Sequence, residues 1–208
     1  MKGDAYSFAK DVDQQIEALT PHDYRRRRGR GKLLREELYP ISRLALHLKQ
    51  PGLEVQVEAF EDDGPADGHI RESGFRDQEF DVQVTSDYSY DESLRDELLT
   101  AEGVSWGAGD IHRDRPSGRV IASPGAVDHD EHYKRISESV VRLFRKKAAI
   151  SYGPNTVLII SFDDITLSGH YAWNELMSFV DQEGGLSGSA FRSVYLLNIG
   201  TNELQRAA

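Results

Sequence analysis

Apolar residues recur along this chain in two rhythms, and the changes between them mark out the elements. Over residues 5–19, Phe8, Val12, Ile16 and Leu19 fall at helical spacing and Thr20-Pro21 closes the segment, which predicts a short amphipathic helix. In LLREELYPISRLALHLK, starting at Leu33, the residues Leu34, Leu38, Ile41, Ala45 and Leu48 share one face, so a second helix is expected, kinked or broken near Pro40. After Pro51-Gly52 the period drops to two. LEVQVEAF, DGHIRES and EFDVQV then read as three short strands separated by Asp/Gly-rich turns.

Tyr90 to Glu102 predicts a helix with Leu94, Leu98 and Leu99 inward. From Gly103 to about Asp130 the chain is rich in Gly, Pro, Asp and Arg and reads as a long loop or flap, a kind of segment that usually has a functional reason. EHYKRISESVVRLFRKKAAI places Tyr133, Ile136, Val140, Leu143 and Phe144 on one helical face. TVLIISF, residues 156–162, is a continuous β-branched run, as expected of a strand covered on both faces. YAWNELMSFV predicts a further helix and FRSVYLLNI a last buried strand. The whole order suggests an α/β fold, a mixed sheet with helices on its faces.

Composition narrows the picture. With 208 residues, 38% of them hydrophobic, the chain can bury a substantial core. It divides on this reading into an N-terminal helix with a basic arm, residues 1–32, and one domain, residues 33–208. The net charge of -10 argues against a generally basic nucleic-acid coat, because the overall field repels phosphate. Any nucleic-acid contact must be local, and RRRRGRGK offers one: Arg25, Arg26, Arg27, Arg28, Arg30 and Lys32 form either a phosphate-gripping arm or a solvated tract balancing an acidic chain. Zero cysteines exclude disulfides and thiolate metal sites. No segment approaches the ~20 apolar residues of a membrane span, so a soluble, cytoplasmic protein is expected.

Candidate chemistry centres on GPADGHIRESGFRDQEFDVQVTSD, residues 64–87. With Phe80, Val82 and Val84 facing one way, Asp81 and Gln83 face the other, and Asp67 opens the preceding strand. Two carboxylates at one sheet edge would make an oxygen-rich site suited to Mg²⁺; acids beside turns and on solvent-facing strand positions are equally ordinary. In the preceding helix, at ~100° per residue, Glu37 falls roughly 50° from the centre of the apolar face, while Glu36 lies nearly opposite. Asp128-His129-Asp130-Glu131-His132 has enough donors for Zn²⁺, but acids at a helix start also serve as caps. GGLSGS, residues 184–189, lacks the lysine and context of a phosphate-binding loop and reads as a plain loop.

A helix bearing a glutamate, three strands with an acid before the second and an acid-x-polar motif in the third, then a helix and a buried strand, resembles the PD-(D/E)xK nuclease superfamily and its restriction-endonuclease-like fold. Pro65-Ala66-Asp67 stands at the P-D motif with an alanine inserted, and Asp81-Val82-Gln83 stands at the (D/E)-x-K motif. The resemblance covers roughly residues 33–162. It implies a nuclease, or a nuclease-like protein, acting on nucleic acid phosphodiesters with Mg²⁺ or Mn²⁺ as cofactor, held by Asp67, Asp81 and Glu37. Gln83 replaces the family's lysine. Lys147 falls about 40° from Tyr133 on the apolar arc of its helix, and either snorkels to solvent or supplies the missing charge. The catalytic set implied is therefore Glu37, Asp67, Asp81, Gln83 and Lys147. Partners implied are nucleic acid, DNA before RNA, and a second copy of the chain in a homodimer, with no membrane. The other reading keeps the fold and removes catalysis, leaving a degenerate member that binds or scaffolds.

Overall fold

Asp4 sets the first boundary of the chain. Its carboxylate accepts from the N–H groups of Tyr6 and Ser7, ending strand β1 (Lys2–Asp4) and capping helix α1 (Ala5–Ala18). Two short helices follow, α2 (Pro21–Arg25) and α3 (Arg30–Leu33), then a π-helical turn at Leu34–Leu38 that leads into α4 (Tyr39–Leu48). Proline has no N–H to return and its ring crowds the carbonyl four residues back, so the break expected at Pro40 takes the form of this widened turn.

Strands β2 (Leu53–Ala59), β3 (Gly68–Gly74) and β4 (Gln78–Ser86) then pair antiparallel in chain order. Helix α5 (Tyr90–Glu102) starts from a capping box between Ser89 and Glu92. The segment expected to be a loop contains its own hairpin, β5 (Ile111–Arg113) and β6 (Val120–Ala122). Helix α6 (His129–Ala148), strand β7 (Thr156–Phe162), helix α7 (Gly169–Gln182) and strands β8 (Ser193–Asn198) and β9 (Glu203–Arg206) complete the chain. This computed structural model describes residues 1–61, 64–107, 109–186 and 191–208. Of the glycine-rich stretch, residues 187–189 therefore lie outside the described residues.

Seven strands form one sheet in the order β1-β2-β3-β4-β7-β8-β9. β4 runs parallel to β7 and β7 to β8, and the other neighbours are antiparallel. The fold is a mixed α/β sheet flanked by helices. One face, with Val82 and Val84 of β4 and Val157 and Ile159 of β7, buries Phe8 and Val12 of α1 and Leu34, Leu38 and Ile41 of the π turn and α4. On the other face Leu158, Ile160 and Phe162 of β7 pack with Val140 and Phe144 of α6 and Trp173 and Leu176 of α7. Every residue of β7 is buried, because both cores meet on it.

The division expected at residue 32 is not where the packing divides. β1 is an edge strand of the main sheet, paired with β2, and α1 contributes to the same core as α4. The basic tract is drawn into this unit as well: Arg26 pairs with Glu97 at 2.5 Å, Arg27 with Glu36 at 3.3 Å and Arg30 with Glu61 at 2.6 Å. Arg27 is buried, with its guanidinium 3.4 Å from the centre of the Tyr88 ring. These three arginines are not the free phosphate-gripping arm that the sequence suggests, because a chain of excess acid supplies carboxylates for them; Arg28 and Lys32 remain exposed. Among the described residues no helix is long and apolar enough to cross a membrane.

Ile159 is fully buried at the seam of the two cores. Ile159→Ala is expected to lower the unfolding free energy by about 2–5 kcal/mol in urea denaturation, and a loss under about 1 kcal/mol would contradict the packing described.

Candidate functional site

The head of β3 is built around a close approach. A Cβ at Gly68 would lie 3.1 Å from both Ile41 Cδ1 and the Glu58 carbonyl oxygen, so glycine lets α4 settle against the start of this strand. Gly68 is opposite Val82, which puts Asp67 opposite Gln83 one step further on. The Asp67 N–H donates to the Val82 carbonyl at 2.9 Å, and its carboxylate then takes the place of a strand carbonyl: Oδ2 accepts from the Val84 N–H at 2.6 Å and from Gln83 Nε2. Gln83 is itself buried.

Burial pushes the Asp67 carboxyl above its ordinary pKa, against the opposing pull of the Val84 N–H, the Lys147 ammonium and the Gln83 amide. Lys147 thus reaches this carboxylate electrostatically from the last turn of α6, as its place on the apolar arc allows. Its Nζ also lies 5.9 Å from the centre of the Tyr152 ring. The Tyr152 hydroxyl is pushed up by burial and then by the negative charge of Asp67, so it stays a neutral donor around pH 7. Lys147 and Tyr152 thus both lie within electrostatic range of the Asp67 carboxylate that Gln83 hydrogen-bonds. Nothing in the spacing of Tyr152 marked it as a member of this group.

Asp81 does not join them. The register places it opposite His69, whose Nδ1 is 3.0 Å from Asp81 Oδ1, and its side chain is half exposed. Asp67 and Asp81 occupy diagonal positions, ~7–8 Å apart at the backbone, and each carboxylate has its own partner. The shared two-aspartate edge site is thus not formed, because the turn between β3 and β4 sets a register that inserts Gln83 and His69. Glu37 sits half-buried in the π turn, whose Leu34 and Leu38 pack on the opposite side of the sheet. His129 pairs with Glu175 and His132 with Asp164, so the two histidines are not directed at one ion.

Among the described residues no group of three or more His, Asp or Glu is placed to hold a metal ion. The oxygen donor at this corner is the Asp67 carboxylate, to which Gln83 presents its amide nitrogen. A single carboxylate suits a cation that keeps most of its water and takes further ligands from a phosphate, as Mg²⁺ often does. Comparison with known proteins finds no matching family model, curated protein or solved structure.

An acid whose folded pKa is raised contributes stability that is present below its unfolded pKa and is lost as pH rises through the folded one. Relative to Asp67→Asn, the natural chain is therefore expected to lose stability as the pH is raised from below 3.8, the ordinary value, through the raised pKa of Asp67. Urea denaturation of both proteins across that range checks this, and a difference independent of pH, or growing in favour of the natural chain, would contradict it.

Proposed function

We propose that this chain is a metal-dependent nuclease-like protein with a restriction-endonuclease-like core, acting on the phosphodiesters of nucleic acid. The observation that carries the reading is the electrostatic pull of the Lys147 ammonium on the Asp67 carboxylate. Lys147 supplies a cation at the place where the PD-(D/E)xK pattern has a lysine and this chain has an amide. The topology supports it: three antiparallel strands, a crossover ending in α6, and a parallel neighbour to the third strand.

In this reading Asp67, oriented by the Gln83 amide, would hold Mg²⁺ or Mn²⁺; Glu37, which the resemblance also implies, belongs to the π turn packed on the opposite face of the sheet. A bound cation there would lower the pKa of the attacking water and neutralise charge developing on the phosphate. The chain's own residues do the rest. The Val84 N–H and the Gln83 amide fix the Asp67 carboxylate in one orientation, the Lys147 ammonium stabilises negative charge on the reacting oxygens, and the Tyr152 hydroxyl donates beside it. Asp81, paired with His69, lies outside the reacting group.

A second reading has its own observation. Oδ2 of Asp67 already accepts two hydrogen bonds, as it would in a degenerate member where the carboxylate serves only to finish the strand ladder. Cleavage separates the two. Mn²⁺-dependent nicking of plasmid, single-stranded DNA or RNA is expected, with the rate falling about 10²–10³-fold in Lys147→Ala. It is expected to vanish in Asp67→Ala and to survive in Asp81→Ala. Absence of cleavage on all three substrates, with no Mn²⁺ binding by calorimetry, would leave the degenerate reading in place.

A further inference from the structure

The long excursion between β4 and α6 presents apolar and cationic groups together. Trp106 is 51% exposed, Val104 64% and Ile121 48%. With Arg119 and Glu102 they line a cleft of about 430 Å³ between the end of α5 and the β5–β6 hairpin. This surface is held in place. Arg95 donates to the Trp106 carbonyl at 2.6 Å and to the Gly109 carbonyl at 3.0 Å, and Arg113 binds Glu97 through both terminal nitrogens. At Gly109, where φ is +97°, a Cβ would come within 2.1 Å of the Ser123 carbonyl oxygen, so the loop closes tightly on itself and only glycine fits.

Charge sets the hairpin apart from the rest of the molecule. Residues 103–127 hold three arginines and two aspartates, 3 - 2 = +1, in a chain of net charge -10. The Asp114 carboxylate is occupied by the Ser117 N–H and hydroxyl in the hairpin turn. Arg115 and Arg119 are exposed and form no ion pair among the described residues, whereas the arginines of the N-terminal tract are largely consumed by internal carboxylates.

We propose that this cleft binds a single strand of nucleic acid, one base stacking on Trp106 while Arg115 and Arg119 contact the flanking phosphates. An exposed indole on a fixed backbone offers a stacking face that any base can use, and unpaired arginines beside it supply the sequence-independent charge. The inference rests on the nuclease-like reading for the class of ligand, and it assigns the strand-gripping role to the hairpin instead of the Arg25–Lys32 tract.

The test uses the full chain in EDTA, where cleavage cannot consume the probe, and fluorescein-labelled 12-nucleotide strands of dT and of U read by anisotropy. Binding is expected to weaken about tenfold or more in Trp106→Ala and to recover in Trp106→Phe, since a stacked base contributes ~1–3 kcal/mol. Arg115→Glu with Arg119→Glu is expected to flatten the salt dependence. Tighter binding of one strand than the other identifies the ligand as DNA or RNA. The proposal is overturned if folded Trp106→Ala binds as the natural chain does, if neither strand binds, or if Trp106→Ala instead abolishes self-association in sedimentation, which would assign the patch to a second copy. A protein that cleaves but ignores Trp106→Ala keeps the Asp67 reading and loses this one; a protein that binds through Trp106 without cleaving does the reverse.

Discussion

Strand β4 lies parallel to β7, and parallel neighbours cannot be joined by a tight turn. The chain must leave the C-terminal end of β4, travel the length of the sheet and re-enter beside its start. Residues 87–155 make that journey, as α5, the β5–β6 hairpin and α6. Three features follow from it. β7 becomes the shared wall of both cores, α6 packs on its second face, and the last turn of α6 arrives where the Lys147 charge acts on Asp67. The hairpin with Trp106 is carried outward on the same excursion.

The same constraint gives the Asp67 corner its character. A carboxylate that finishes the β3–β4 ladder is oriented by the Val84 N–H and the Gln83 amide, and burial raises its pKa. Orientation and desolvation are what a reactive carboxylate needs, and they come here from ordinary strand pairing and helix packing. Elsewhere the acidic excess of the chain is spent locally. Glu97 illustrates this: hydrogen bonds from Arg113 and then Arg26 outweigh its partial burial and hold its carboxyl down at about 2. That pairing ties the N-terminal tract and the hairpin to α5, leaving Arg115 and Arg119 as exposed cations on the flap.

Periodicity in the sequence was enough to locate α1, α4, β2 to β4, α5, α6, β7, α7 and β8, because each buries one face or both and the apolar spacing records it. The shortest elements left no such trace. β1, β5 and β6 have three residues each and β9 has four, too few for a period of two to show. Pro40 signalled a break but not that the chain would widen into a π turn before it. At the site, the angular position of Lys147 on its helix was legible. The separation of Asp81 from Asp67 was not, because it depends on a register fixed by residues 75–77. The pairing of Arg26 and Arg30 was equally hidden, since their partners Glu97 and Glu61 are far away in sequence.

The central claim is that Asp67, Gln83 and Lys147 form one functional corner. A crystal structure of the chain soaked with Mn²⁺ tests it most directly, by anomalous scattering from the metal. The account predicts a manganese peak about 2.1 Å from an Asp67 carboxylate oxygen, with the Gln83 side chain beside it and Lys147 directed to the same space. A peak at Asp81 and His69 instead, or none at Asp67 in crystals bathed in the ion, would contradict it.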